Sequence, residues 1–132
     1  MILLLIHLLS HPSNAEEEWK LVSQKEGITS TQKSMEGSPL FAFRGEALVS
    51  DSLAELSAVL LKDDIGPEWV DLMYLSTVIK KEGPYTKVIR QGYDLPWPIQ
   101  DRDYLMREVA NYDQNNKVFT LQFESIEDPS MP

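Results

Sequence analysis

The sequence predicts an α+β domain built around an antiparallel sheet. Apolar and polar residues alternate in several short runs. Turn clusters such as Glu26-Gly27, Glu82-Gly83-Pro84 and Asp113-Gln114-Asn115-Asn116 separate them. One stretch, Leu53–Leu61, is instead apolar at helical spacing behind a capping residue. Strands that precede and follow a helical pair, without strand–helix alternation, give α+β and one meandering antiparallel sheet.

Each element has a local reason. Trp19–Lys25 alternates as a half-buried strand, Glu26-Gly27 turns the chain, and Ile28–Lys33 alternates again to close a hairpin. Leu40–Val49 is a third strand with its aromatics on one parity. Ser52, followed three residues later by Glu55, is a capping-box pattern. Leu53, Leu56, Val59 and Leu60 then share a helix face. That helix ends near Lys62-Asp63-Asp64, and Gly66-Pro67 opens a short turn carrying Glu68 and Trp69. Strands are expected over 75–81, 85–93, 103–112 and 117–125. Between the second and third of these lies Asp94–Asp101, where Pro96 and Pro98 lack N–H donors and stay out of a central ladder. Trp69 and Trp97 are large apolar groups expected to be mostly buried, Trp97 being held by its prolines.

The 132 residues fit one domain, large enough to bury a core without staples. A net charge of −9 without clustered Lys/Arg argues against nucleic acid and against electrostatic docking to an anionic membrane. With no cysteine there is no disulfide framework and no thiolate site.

Met1–Ala15 differs from the rest. Ile2–Leu9 is apolar but too short to span a bilayer, and Ser13-Asn14-Ala15 places small residues before the acidic run at Glu16. This reads as a signal peptide cleaved after Ala15, making the protein exported, periplasmic or secreted, with 16–132 as the mature domain. The apolar run has no preceding Lys or Arg, so a membrane anchor or a misplaced start is the competing reading.

The sequence carries no enzyme constellation. His7 and His11 lie in or beside the leader, which leaves the mature chain without the commonest general base and metal ligand. No serine sits in a nucleophile-elbow context, and no glycine-rich phosphate loop occurs. Asp101 and Asp103 can be read as cation ligands or as turn and strand-edge acceptors. Arg102 between them, and the lack of a third oxygen ligand nearby, favour the second. Asp63-Asp64 reads as a solvated helix end. No metal and no cofactor are expected.

Five pieces in order resemble one family. Pro96-Trp97-Pro98 followed by Asp101-Arg102-Asp103-Tyr104-Leu105 resembles the central signature of the START family of lipid-transfer domains. Trp19-Lys20-Leu21-Val22 with Gly27-Ile28-Thr29 resembles its opening strand pair, and Phe43-Arg44-Gly45-Glu46 its third strand. Glu68-Trp69-Val70 resembles the element after its helix. Ser125 with Pro129 resembles the end of its middle strand. The resemblance implies a START-like helix-grip fold, in which a curved antiparallel sheet grips a long C-terminal helix. It covers the N-terminal three-fifths of such a domain. The closing helix is not in the sequence, so 16–132 is expected to be C-terminally incomplete.

The resemblance also implies a lipid cavity with an acid–base pair on two neighbouring strands. Arg90 and Glu108 are expected to fall nearly opposite each other, as a cavity anchor or as a surface pair of small energy. Val88, Tyr104, Met106, Phe119, Leu121 and Phe123 share their parity and form either a ligand wall or ordinary core. The implied activity is binding, and transfer, of a hydrophobic lipid without catalysis, with transient membrane contact and an open oligomeric state. The alternatives are a polyketide cyclase-like enzyme of the same architecture and a non-functional fragment of a longer START protein.

Overall fold

The computed structural model describes residues 18–130. The leader expected at Met1–Ala15 lies outside the described residues. The chain divides into two compact units at Ser50/Asp51.

The first unit is a three-stranded antiparallel sheet of β1 (Lys20–Lys25), β2 (Ile28–Ser34) and β3 (Phe41–Ala47), in that order. Glu26 and Gly27 both take positive φ, 54° and 78°, which matches a two-residue hairpin turn to the strand twist. Trp19 lies beneath two cations, with the Arg44 guanidinium 4.0 Å and the Lys33 ammonium 5.1 Å from its ring centre.

The second unit opens with α1 (Leu53–Leu61). The capping box read from Ser52 and Glu55 is formed in both directions: Ser52 Oγ accepts from the Glu55 N–H, and the Glu55 carboxylate accepts from the Ser52 N–H at 3.1 Å. A 3-10 turn at Asp63–Ile65 and the short α2 (Gly66–Trp69) follow. Four antiparallel strands complete the unit in sequential order: β4 (Met73–Lys81), β5 (Thr86–Tyr93), β6 (Arg102–Asp113) and β7 (Val118–Ser125). Hydrogen bonding thus gives two sheets where a single meander was expected. The β6–β7 turn is held by Asp113, whose carboxylate accepts from the backbone N–H groups of Asn115 and Asn116.

Two glycines mark close approaches. A Cβ on Gly66 would meet Met73 Sδ at 2.7 Å and Ser76 Cβ at 3.2 Å, so α2 can seat directly on β4. A Cβ on Gly92 would stand 2.5 Å from the Tyr74 ring, which lies over that glycine. Ile89 is fully buried, at 0% exposure, and Val88 and Met73 are the other buried apolar side chains among the described residues.

The two tryptophans correct the sequence reading. Trp69 is 54% exposed and Trp97 is 91% exposed. The connector is fixed through its backbone instead, by Leu95 N–H to Asp101 Oδ1 at 3.2 Å and Ile99 N–H to the Pro96 carbonyl at 3.1 Å, with a cis Trp97–Pro98 bond. Pro96 and Pro98 add no donor that would draw the loop onto the ladder, and the indole between them projects outward.

Candidate ligand-binding cleft

Register decides which side chains meet. In the β5–β6 ladder Lys87 faces Glu108, Ile89 faces Met106, Arg90 faces Leu105 and Gln91 faces Tyr104. In β6–β7, Glu108 faces Phe123, Ala110 faces Leu121 and Tyr112 faces Phe119. Opposed residues share a sheet face. Tyr104, Met106, Glu108, Phe119, Leu121 and Phe123 therefore lie on one face, together with Lys87 and Ile89.

Val88 and Arg90 lie on the other face. The expected opposition of Arg90 to Glu108 is corrected: the observed register differs by an odd number of residues, which moves a side chain to the opposite side. Arg90 instead pairs with Asp103, which also accepts from the Tyr74 hydroxyl at 2.8 Å. The Arg90 guanidinium holds the Asp103 carboxyl below its usual range, and the Tyr74 bond adds to this. Asp103 is thus a strand-edge acceptor, and Asp101 bonds the connector backbone. Val88 is buried and faces Arg107 across the ladder, and Arg107 donates to Glu82 at 2.8 Å.

On the first face, beside α1, is an open cleft of about 750 Å³. This falls within the range of about 300–1,000 Å³ common for small-ligand sites. Leu53, Ala54 and Leu61 of α1 form one apolar wall; Tyr85, Ala110, Tyr112 and Phe119 form the other. Of the expected residues, Glu108 and Phe119 line this cleft. Tyr104, Met106, Leu121 and Phe123 share its face but lie outside its lining. Tyr104 packs edge-on against Tyr93, with ring centres 5.8 Å apart.

The polar end of the cleft is an ion cluster that the sequence reading missed. Lys87 Nζ stands 3.1 Å from Glu108 Oε1, forms an ion pair with Asp63, and donates to the Leu61 carbonyl at 3.3 Å. The Lys87, Asp63 and Glu108 side chains are 16%, 9% and 3% exposed. Leu61 is the last residue of α1, and α1 has no basic residue in its last turn. Lys87 supplies that cation from a strand, at the negative end of the helix dipole. Asp63, read as a solvated helix end, is a partner within the cluster.

Burial pushes the Glu108 carboxyl up, against the opposing effect of Lys87. Burial also pulls the Lys87 ammonium down, but its bonds to Asp63 and Glu108 outweigh this and raise it. The cleft thus combines an apolar wall with one tightly held charge cluster. Such an arrangement can take up a hydrophobic body and orient one polar end.

The sequence profile of the START domain matches residues 5–132, and the chain belongs to that family. Over 96 residues it is 28% identical to an uncharacterized protein of Pseudomonas aeruginosa, a match covering 68% of this chain and 44% of that protein. Over 119 residues it is 25% identical to the mitochondrial StAR-related lipid transfer protein 7 of Mus musculus, covering 89% and 32%. Among solved structures it resembles a STAR-related lipid transfer protein from Xanthomonas axonopodis, with TM-score 0.74 and 24% identity, over 82% of this chain and 60% of that one. It also resembles the lipid transfer and protein localization domain of human StarD13, with TM-score 0.77 and 16% identity, over 87% and 61%. The α+β helix-grip class expected from the sequence is thereby established. The chain spans less than half the length of these curated relatives and about three-fifths of these solved chains.

Proposed function

We propose that the chain binds a hydrophobic lipid in the cleft beside α1 and carries it between membranes. The observation that carries this reading is the pairing of a largely apolar cleft with a buried ion cluster, in a chain of the START family. The lipid body would lie against Leu53, Leu61, Tyr85, Tyr112 and Phe119. Each CH₂ buried there contributes about 0.8 kcal/mol. The polar end would face Lys87 and Glu108. The ionisable groups of the cluster are committed to one another, so the role is solubilisation without catalysis.

Exchange requires transient membrane contact. We assign this to the connector, where Trp97 and Ile99 present exposed apolar surface on a backbone fixed by its own hydrogen bonds. Indole rings favour the polar–apolar boundary of a bilayer. No helix among the described residues is long and apolar enough to cross a membrane. Export through Met1–Ala15 belongs to the same proposal and is tested by N-terminal sequencing of secreted or periplasmic protein. A start at Glu16 supports it, and an uncleaved cytosolic chain refutes it.

The test of binding is mass spectrometry of the chain purified under native conditions from a lipid-containing host. A near-stoichiometric apolar lipid, lost on denaturation, is expected. A chain that stays ligand-free, and that takes up no lipid from vesicles, would refute the reading.

A further inference from the structure

The ion cluster restricts the kind of polar end a bound lipid can have. An ammonium has three N–H donors and no acceptor. Lys87 has three acceptors in reach: the Leu61 carbonyl at 3.3 Å, the Asp63 carboxylate, and Glu108 Oε1 at 3.1 Å. It donates to the first two and forms an ion pair with the third, so its charge and most of its donor capacity are engaged within the protein. A phosphate or carboxylate entering the cleft would have to displace one of these acceptors from a nearly dry site. That would leave a buried carbonyl or carboxylate without its partner.

Charge points the same way. One ammonium stands among two carboxylates, so the cluster carries an excess negative charge. Glu108 lines the cleft and is 2% exposed, so what surface it retains is cleft surface. Lys81 faces Lys87 across the β4–β5 ladder and also lines the cleft, but it is exposed, and a solvated cation attracts an anion only weakly. Unused acceptor capacity therefore exceeds unused donor capacity at the buried end.

Resting on the lipid-binding reading above, we infer that the cleft selects a lipid whose polar end donates hydrogen bonds, a hydroxyl or a protonated amine, and disfavours a phosphate or carboxylate end. Glu108 is the specificity-determining acceptor. A hydroxyl donates to its carboxylate without disturbing Lys87. An amine does the same and also offsets the excess charge.

The test is displacement of a neutral fluorescent probe, Nile red, from the full chain at neutral pH. The displacers are dodecanol, dodecylamine and dodecanoate, which share one chain length and differ at one end, each used below its micellar concentration. Dodecanol and dodecylamine should displace the probe at concentrations about tenfold lower than dodecanoate, equivalent to about 1.4 kcal/mol. If dodecylamine is stronger than dodecanol, charge contributes; if the two are equal, donation alone is read. Dodecanoate displacing as well as the other two would overturn the inference and leave lipid binding intact. No displacement by any of the three would overturn lipid binding itself. The order is read on the unmodified chain and so depends on no variant. In Glu108→Gln the amine should lose its advantage over the carboxylate, whereas Lys81→Gln should keep the order. The opposite pattern would place selection at the rim.

Discussion

Lys87 on β5 and Glu108 on β6 are directly opposed across the ladder, with the ammonium 3.1 Å from the carboxylate. The same ammonium reaches Asp63 and the last carbonyl of α1, so one side chain ties the helix end to the sheet. Removing it leaves two carboxylates close together with little water. Lys87→Met should therefore destabilise the chain by about 3 kcal/mol in urea denaturation. Adding Glu108→Leu should recover part of that loss, because one unpaired charge goes with it. A loss below about 0.5 kcal/mol for Lys87→Met would class the cluster with ordinary surface pairs.

Stability should depend on pH through Glu108. Its folded carboxyl is raised above the ordinary value of 4.5, with burial as the largest cause. The folded chain then holds this proton more readily than the unfolded chain. The contribution is full below about pH 4.5 and is lost as pH rises through the folded value. The stability difference between wild type and Glu108→Gln should decline across that window and then level off. Lys87 is raised above 10.5, so its contribution persists to neutral pH and is lost only in strong alkali. A wild-type-minus-variant difference that does not change with pH in the acid window would refute the assignment.

Trp97 separates stability from contact. Its ring is 91% exposed, so Trp97→Ala should change stability by less than about 0.5 kcal/mol. The same change should weaken co-sedimentation with zwitterionic vesicles and abolish a blue shift of tryptophan emission on vesicle addition. Unchanged vesicle binding would remove the connector from the membrane-contact proposal.

The wall of the cleft depends on a cap. Ser52 Oγ accepts from the Glu55 N–H at 3.2 Å at the start of the helix that carries Leu53 and Ala54 into the cleft. Ser52→Ala should cost about 1 kcal/mol and weaken Nile red binding. Retained helicity and unchanged probe affinity would show that the cap does not position this wall.

Ile89 reports on the core without touching the cleft lining. It is fully buried opposite Met106. Ile89→Ala should cost about 2–5 kcal/mol, with the midpoint shifted and the denaturant slope preserved. A smaller cost would mean that the sheet collapses readily around the gap.

The sequence by itself determined the elements. Alternation, turn chemistry at Asp113 and the Ser52–Glu55 capping box are local, involving residues a few positions apart, and each was formed as read. The family was equally legible, because its motifs are short and their order survives sequence divergence. The sequence also grouped Glu108 and Phe119 on one sheet face, and both line the cleft. The partner of Glu108 was decided by tertiary structure. Lys87 and Arg90 are both basic residues on β5, and only the ladder register, set by the turn and connector geometry on either side, puts one against Glu108 and the other on the opposite face. Side chains alternate with period two, so an odd error in register exchanges the faces without altering any pattern visible along the chain. Asp63 was hidden for a related reason. Its role depends on where α1 ends relative to β5, a distance in space that no spacing in the sequence encodes. The outward stance of Trp97 was settled in the same way, since a bulky residue between two prolines packs or projects according to what the fold brings near it.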